Sequence, residues 1–566
     1  MATGGIQNRI LRWVLDQLRT ARTVARLAYR LYGKRTALID RRGAWTYRQL
    51  QDRVLRLNAW METEAGVRHG DIVFTWLPET GEQYEVRLAT YENGAKLAMF
   101  HQFLSAQGVL AMLEELRPGV FIHDPALTAN ILPTIIERFP DMRLLAIGQE
   151  YEAALARHKP RQGTTPVNED DVFSLHMTSG TTGLPKTIGY SHRKYLDSIR
   201  LMARSLDFSK PAKGADVNMI GLPMTGPGSG MVLPTLLAGA AMVMPEDFRA
   251  ETLLQLIETH RVTRAYFSPS GLVDLVDMPG VRDYDLSSLR LIAYGSEMMP
   301  APKLHEAIEL LGPILQQGYG CFEALPPITW LMPADHVDSQ GKPASHEVLS
   351  SVGSITPGVD VVVRDANWNP LPAGQQGQIT VRTPVQFNGY WPSRSGMTAK
   401  TAETLRDGWV VMGDIGYIDM AGRLHVQGRM ADLITRNGLS VAPRQTEEAA
   451  HGHPAVKETC FVQVDDRAVL VVSLRRDWQM KDAPAVAQAL MQQLRDTLEP
   501  SAVPDDIEVV PEIPRSFLNK MLRREVRMML SPVVHDNENS SSRNSSGSSN
   551  NTHHQDQTTV LRTVLT

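Results

Sequence analysis

The sequence predicts an α/β fold. A large N-terminal domain of layered sheets with flanking helices and a β-rich subdomain is followed by a small, mobile α+β C-terminal domain. Three observations predict it. Short apolar runs alternate with helical stretches through most of the chain, the pattern of sheets covered by helices. After Gly353 the turns multiply and helical stretches become rare, which marks a strand-rich region. The 566 residues also exceed what one hydrophobic core organises, so the chain must divide.

The elements follow in order. Thr36–Asp40 reads as a short strand, and Thr46 as the cap of a helix beginning at Tyr47. Asp71 to Leu77 is a buried strand and Glu82 to Gly94 a helix. Strands recur at Met219–Pro223, Ala240–Met244 and Leu289–Ala293. In the β-rich part, Pro357-Gly358 and Pro372-Ala-Gly374 bracket turns, and Gly377–Val381 is a strand. Ala468–Val472 is a strand of the small domain, and Pro484–Leu498 a helix with its proline in the first turn. The boundaries are therefore 1–32 for a basic amphipathic helix, 33–429 for the large domain and 430–533 for the small lid domain. Residues 534–566 form a Ser/Asn-rich tail expected to be disordered, because its composition offers no apolar surface to bury.

Charge and composition narrow the function. A formal net charge of -4 excludes a nucleic-acid-binding surface built on overall basicity. Cys321 and Cys460, the two cysteines, provide neither a disulfide framework nor a metal cluster, so a reducing, cytoplasmic setting is expected. No uncharged run spans a bilayer. Ile6 to Leu31 carries Arg9, Arg12, Arg19, Arg22, Arg26 and Arg30 along an apolar helix, a pattern suited to peripheral contact with an anionic membrane. The competing expectation is a helix packed on the large domain with its arginines in solvent.

The most informative segment is His176-Met-Thr-Ser-Gly-Thr-Thr-Gly-Leu-Pro-Lys186. Thr178, Ser179, Thr181 and Thr182 supply hydroxyls. Gly180 and Gly183 let the backbone approach a ligand, and Lys186 adds positive charge. Such a loop cradles a polyphosphate. The residue order resembles the phosphate-binding loop of the AMP-forming adenylating superfamily, most closely the acyl-CoA synthetases. Four further segments resemble that family in the same order. They are Gln317-Gly-Tyr-Gly-Cys-Phe-Glu323, Met412-Gly-Asp-Ile-Gly-Tyr417, Gly428-Arg429 and Pro514-Arg-Ser-Phe-Leu-Asn-Lys520.

The resemblance implies roles. Tyr319 offers a face to the purine, Gly320 permits close approach, and Glu323 helps hold Mg²⁺ beside the phosphates. Asp414, read as lying in a Gly-bounded turn, accepts from the ribose hydroxyls, and Arg429 bridges ribose or phosphate oxygens. Gly295, Ser296 and Glu297 pass the adenine. Gly295 also borders the acyl pocket, whose second wall, Leu222–Gly228, places a neutral lining at Met224 and Thr225. Tyr294 and Ser296 line the crossing. Ala431 marks the hinge, and Asn437 and Gly438 the loop facing the thiol step. Lys520 is the catalytic lysine, with Lys186 and Glu323 completing the catalytic set.

Four positions depart from the family pattern: Phe322 stands for Thr, Ala431 for Lys or Asp, Gln445 for Glu and Asn519 for Gly. His176 and His192 read as structural. The implied reaction activates a small hydrophobic carboxylic acid, expected from the neutral Leu222–Gly228 segment to be a fatty acid, with ATP and Mg²⁺ to acyl-AMP and pyrophosphate, then passes the acyl group to CoA. The alternatives are transfer to a phosphopantetheine carrier protein and an inactive nucleotide-binding homologue. The oligomeric state is not read from the sequence.

Overall fold

The computed structural model describes residues 15–178, 186–205, 216–391, 398–436, 438–516 and 521–531. The chain through Met529 forms one compact unit and Leu530–Thr566 a second. Among the described residues, two large sheets organise the first unit. A nine-stranded sheet runs in the order Ser354–Ile355, Thr329–Leu331, Leu315–Tyr319, Leu291–Gly295, Arg264–Phe267, Val217–Gly221, Ala241–Val243, Thr36–Asp40, Gly43–Thr46. A six-stranded sheet runs Arg143–Ala146, Val120–His123, Ile72–Leu77, Lys96–His101, Val172–Thr178, Lys186–Ser191. The pairings from Leu315–Tyr319 across to Thr36–Asp40 are parallel, as are those from Arg143–Ala146 to Val172–Thr178. Ligands bind at the carboxyl ends of such strands. Here Thr178, Gly221, Gly295 and Tyr319 each end one.

The predicted elements form where local chemistry specifies them. Thr46 caps the helix Tyr47–Thr63 through a reciprocal capping box with Gln49. The β-rich part is a five-stranded sheet in which Trp409–Ile418 pairs with Gly377–Arg382 on one side and Leu424–Arg429 on the other. The small domain pairs Val456–Val464, Arg467–Leu474 and Asp506–Val510, with helices Pro443–Ala450 and Ala483–Thr497. Leu470, Val472, Leu490 and Leu494 form part of its own core.

The helix Gly81–Asn93 is buried along its whole length although it carries Glu82, Glu85, Arg87 and Glu92. Burying charges is costly unless they are paired. Arg42 lies 3.3 Å from Glu82, Arg53 lies 2.8 Å from Glu85, and Arg26 pairs with Glu92. Arg87 has no carboxylate partner among the described residues.

The expected single basic helix is interrupted. Helix is present at Leu15, lapses at Leu18–Thr20 and restarts as Ala21–Tyr32. The cause is local: Thr20 and Thr23 cap each other, which starts a new helix. Its arginines are not all in solvent. Arg22 donates 2.6 Å to the Thr165 carbonyl, and Arg26 donates 2.9 Å to that of Gly163 as well as pairing with Glu92. Val24, Ala25 and Ala28 join the main core. Arg9 and Arg12 lie outside the described residues. No described helix is long and apolar enough to cross a membrane.

Candidate active site

The site begins at the hairpin of Val172–Thr178 and Lys186–Ser191. Thr178 pairs in register with Lys186, so the lysine stands at the mouth of the hairpin. Ser179, Gly180, Thr181, Thr182 and Gly183 lie outside the described residues, as do Asn437 and Lys520. The Lys186 ammonium sits 4.8 Å from the ring centroid of Tyr390 and donates to its hydroxyl at 3.4 Å. The same hydroxyl donates 2.8 Å to Glu323 Oε1 and lies 3.2 Å from the Thr404 hydroxyl. The Phe387 amide fixes the Glu323 carbonyl at 2.9 Å. Tyr390 thus joins two predicted catalytic groups from distant parts of the chain. Burial, then the Glu323 charge, push its phenol above the ordinary range, so it stays a neutral donor. Sequence reading missed Tyr390. The preceding Gly389 adopts φ 130°, a conformation that favours glycine.

A second cluster gathers Tyr319, Asp414 and Arg429. The Tyr319 hydroxyl donates 2.6 Å to Asp414 Oδ2, and Arg429 Nε lies 2.9 Å from Oδ1. Asp414 is 5% exposed, whereas the Arg429 side chain is 58% exposed. Asp414 is not in a turn, as the sequence suggested. It lies within the strand Trp409–Ile418, directly opposite Arg429 on the neighbouring strand. Gly413, at φ 72°, supplies the local kink that mimicked a turn. The Asp414 charge, more than any other group, raises the Arg429 pKa. Each carboxylate oxygen has two lone pairs, so Asp414 can hold these partners and still accept from ribose hydroxyls.

Phe322, the most conspicuous departure, packs against His176 with ring centroids 5.1 Å apart. His176 is buried and its Nε2 lies 2.9 Å from the Ser174 hydroxyl. Burial, assisted by the Arg87 charge, lowers its pKa to about 3, so it is a neutral wall. His192 is also structural: its Nδ1 accepts from the Ala21 amide at 3.1 Å.

Gly295 is required by packing. A Cβ there would meet the Gly318 carbonyl at 2.4 Å. Ser296 adopts φ 79°, a left-handed turn that swings the chain away from the strand. Gly320 runs against Pro326, where a Cβ would stand 3.0 Å from the ring. Tyr294 does not line the crossing; it is buried and its hydroxyl lies 3.0 Å from His336 Nε2. Strand alternation turns it into the core behind the sheet. Met224 is buried and Thr225 half-buried. Behind the segment, the Met224 amide donates 3.0 Å to buried Glu79.

Among the described residues, no group of three or more His, Cys, Asp or Glu gathers to hold a metal. One carboxylate plus substrate phosphates is the usual way proteins hold Mg²⁺. Glu323, across Tyr390 from Lys186, fits that arrangement.

Comparison with known proteins decides what this geometry serves. The model of AMP-binding enzymes matches residues 26–391, and that of their C-terminal domain matches 445–520. The chain belongs to the AMP-binding enzyme family. It is 31% identical over 401 residues to a medium/long-chain fatty-acid–CoA ligase of Mycobacterium tuberculosis, covering 69% of this chain and 66% of that protein. It is 29% identical to a fatty acid–acyl-carrier-protein ligase of Streptomyces coeruleorubidus, covering 85% and 91%. An amide bond synthetase of Marinactinospora thermotolerans superposes with a TM-score of 0.77 at 26% identity, covering 90% of this chain and all of that one. This AMP-binding enzyme is therefore an ATP-dependent, AMP-forming adenylating enzyme that acts on a carboxylic acid, of the superfamily that includes the acyl- and aryl-CoA ligases.

In this AMP-binding enzyme the small domain is joined to the large one by ion pairs. Lys457 lies 3.1 Å from Asp274, Arg475 lies 2.5 Å from Glu306, and Arg515 lies 4.0 Å from Glu297. Glu297 also accepts from the Ser270 amide at 3.1 Å. It is thus placed at the domain junction. Ala431 is exposed in a short 3₁₀ turn, Met430–Asp432, and Asp432 pairs with Arg527 at 2.9 Å. Gly438, at φ 77°, closes the hairpin of Ile434–Arg436 and Leu439–Val441.

Proposed function

We propose that this enzyme is an acid–CoA ligase that activates an acid with an apolar carbon stem as its acyl-AMP and transfers the acyl group to CoA. The observation that carries the reading is the Lys186–Tyr390–Glu323 chain set beside the Tyr319–Asp414–Arg429 cluster. One group suits the phosphates, the other the ribose. The acid carboxylate would attack the ATP α-phosphorus, releasing pyrophosphate. Lys186 would neutralise phosphate charge, Glu323 would hold Mg²⁺, and Lys520 would stabilise the charge developing at the α-phosphate. Mg²⁺, when bound, would offset the charge of the departing pyrophosphate. Buried Leu222 and Met224 favour an apolar stem.

CoA as acceptor is supported by the likeness to the Mycobacterium tuberculosis ligase. A phosphopantetheine carrier is the second reading, supported by the Streptomyces coeruleorubidus relative. The exposed hairpin at Gly438 would face the thiol after the small domain turns on Met430–Asp432. In this reading the enzyme works in the cytoplasm. The membrane contact proposed for residues 6–31 would not use Arg22 and Arg26, which are engaged inside the fold, whereas Arg19, Arg30 and Leu31 are exposed.

The test supplies CoA and a phosphopantetheine-charged carrier side by side with preformed acyl-AMP. Faster thioester formation on CoA supports the reading. Transfer only to the carrier, or only to amines, replaces it.

A further inference from the structure

The acyl wall hides a charge that the proposed reaction does not use. Arg87 is 2% exposed, yet among the described residues it lies within ion-pair reach of no carboxylate. Every glutamate on its own helix from Glu82 onward has an arginine partner, which makes Arg87 the exception. Its Nη2 reaches the Met99 sulfur at 2.8 Å and the Met224 carbonyl at 3.4 Å, the buried Tyr91 phenol is a further neutral partner of the guanidinium, and its Nε has no partner. A guanidinium carries five donors and cannot shed its charge. One held by a thioether, a neutral phenol and a long carbonyl contact has dipoles around it but no counter-charge.

Its neighbours share the deficit. Gln83 lies one helical turn earlier on the same face and is fully buried, with neither its Oε1 nor its Nε2 bonded. The Thr225 hydroxyl is buried without a partner. Glu79 is near enough to feel the Arg87 charge but makes no ion pair with it; its carboxyl accepts from the Met224 amide at 3.0 Å instead. Burial also raises its carboxyl to about 8, so it is mostly uncharged at neutral pH. Met224 is therefore gripped on both sides, by Glu79 at its amide and Arg87 at its carbonyl. Glu79 follows the carboxyl end of strand Ile72–Leu77 in one sheet, and Met224 and Thr225 follow that of Val217–Gly221 in the other. Arg87 is close enough to act electrostatically on His176, whose ring contacts Phe322 beside Glu323.

We propose that Arg87, with Gln83 and Thr225, forms a subsite for a second carboxylate at the far end of the acid, so that the preferred substrate is a dicarboxylic acid with an apolar stem. The inference rests on the assignment of Leu222–Gly228 as the acyl wall. One carboxylate would be adenylated. The other would complete the charge of Arg87, with Gln83 Nε2 and the Thr225 hydroxyl as further donors. An ammonium end is disfavoured by the same guanidinium.

The test measures kcat/KM for acyl-AMP formation, read as pyrophosphate release without any thiol, so that the identity of the acceptor cannot affect the result. The probes are aliphatic dicarboxylates of increasing length, the monocarboxylates of equal carbon count, and ω-amino acids. The wild-type enzyme is expected to favour one dicarboxylate over its monocarboxylate match by about 10- to 100-fold. Arg87→Met should abolish or invert that ratio, and Arg87→Lys should retain part of it. Should Arg87→Met not fold, Thr225→Val and Gln83→Leu carry the test and should each lower the ratio. A wild-type preference for monocarboxylates or ω-amino acids overturns the proposal. So does a ratio unchanged by the variants, which would mean that Arg87 serves every acid alike or is bridged by water.

Discussion

The Tyr390 hydroxyl donates a 2.8 Å hydrogen bond to Glu323 while accepting from Lys186 at 3.4 Å. One phenol thus sets the spacing between the cation that neutralises phosphate and the carboxylate that would hold Mg²⁺. Tyr390→Phe keeps the ring against Lys186 but removes this bridge. A hydrogen bond to a charged group contributes about 1.5–3 kcal/mol, so adenylation should slow by roughly 10- to 100-fold. The Mg²⁺ concentration for half-maximal rate should rise as well. Pyrophosphate release titrated with Mg²⁺ checks both. An unchanged Mg²⁺ dependence would remove Tyr390 from metal positioning.

Asp414 holds Tyr319 and Arg429 at once. Asp414→Asn keeps an acceptor but leaves Arg429 without its counter-charge. The expected loss in AMP affinity is about 2–3 kcal/mol, roughly 30- to 150-fold. Calorimetric titration with AMP measures it directly. A loss confined to folding stability, with affinity intact in the folded fraction, would exclude Asp414 as a ribose ligand.

How far the sequence reached these residues depended on the range of the forces that place them. Thr46 was legible because its cap is satisfied within three residues. Asp414 and Arg429 were legible as motif residues, but their strand setting was not, because Gly413 gives an extended segment the look of a turn. Tyr390 left no periodic trace; its partners are a hairpin lysine and a carboxylate from a distant strand end. Glu82 to Gly94 was read as a helix, yet nothing in its pattern marked it as buried. Its glutamates enter the interior only because Arg26, Arg42 and Arg53 come from elsewhere to meet them. The break at Thr20 was missed because the arginines on either side make one continuous basic pattern.

Glu79 gives a pH signature. Burial raises its carboxyl to about 8 in the folded protein, against the opposing effects of the Met224 amide and Arg87. Between its ordinary value and about 8, the folded state keeps a proton that the unfolded state has lost. Stability therefore falls as pH rises through that window and levels off above it. Glu79→Gln removes this slope. Its thermal midpoint should exceed the wild type's by several degrees at about pH 9 and match it at about pH 5. On the acid side the sign reverses. His176, held near 3 by burial, is neutral when folded, so stability falls as pH drops from about 6.5 toward 3. Equal midpoints for wild type and Glu79→Gln at both pH values would mean that Glu79 is ionised in the fold.

The two half-reactions should separate by mutation. Lys520→Ala should lower acyl-AMP formation by several orders of magnitude, since it removes charge stabilisation at the α-phosphate, and should spare thioester formation from supplied acyl-AMP. Gly438 sits at φ 77°, so a bulky residue there carries left-handed strain in either orientation, and with open space where its Cβ would project the thiol step should be hit harder than adenylation. Single-step assays on both variants decide this. Equal impairment of both steps in both folded variants would refute a division of labour between two domain orientations.

In the proposed reaction a carboxylate attacks the α-phosphorus of ATP and CoA then takes the acyl group. The most direct measurement uses an acid whose carboxylate oxygens carry a heavy isotope, with ATP, Mg²⁺ and CoA, followed by mass spectrometry of all products. The expected products are acyl-CoA, AMP bearing one labelled oxygen, and unlabelled pyrophosphate. Label in orthophosphate with ADP as the nucleotide product, or labelled acyl-AMP that persists without an acyl-CoA product, would contradict it.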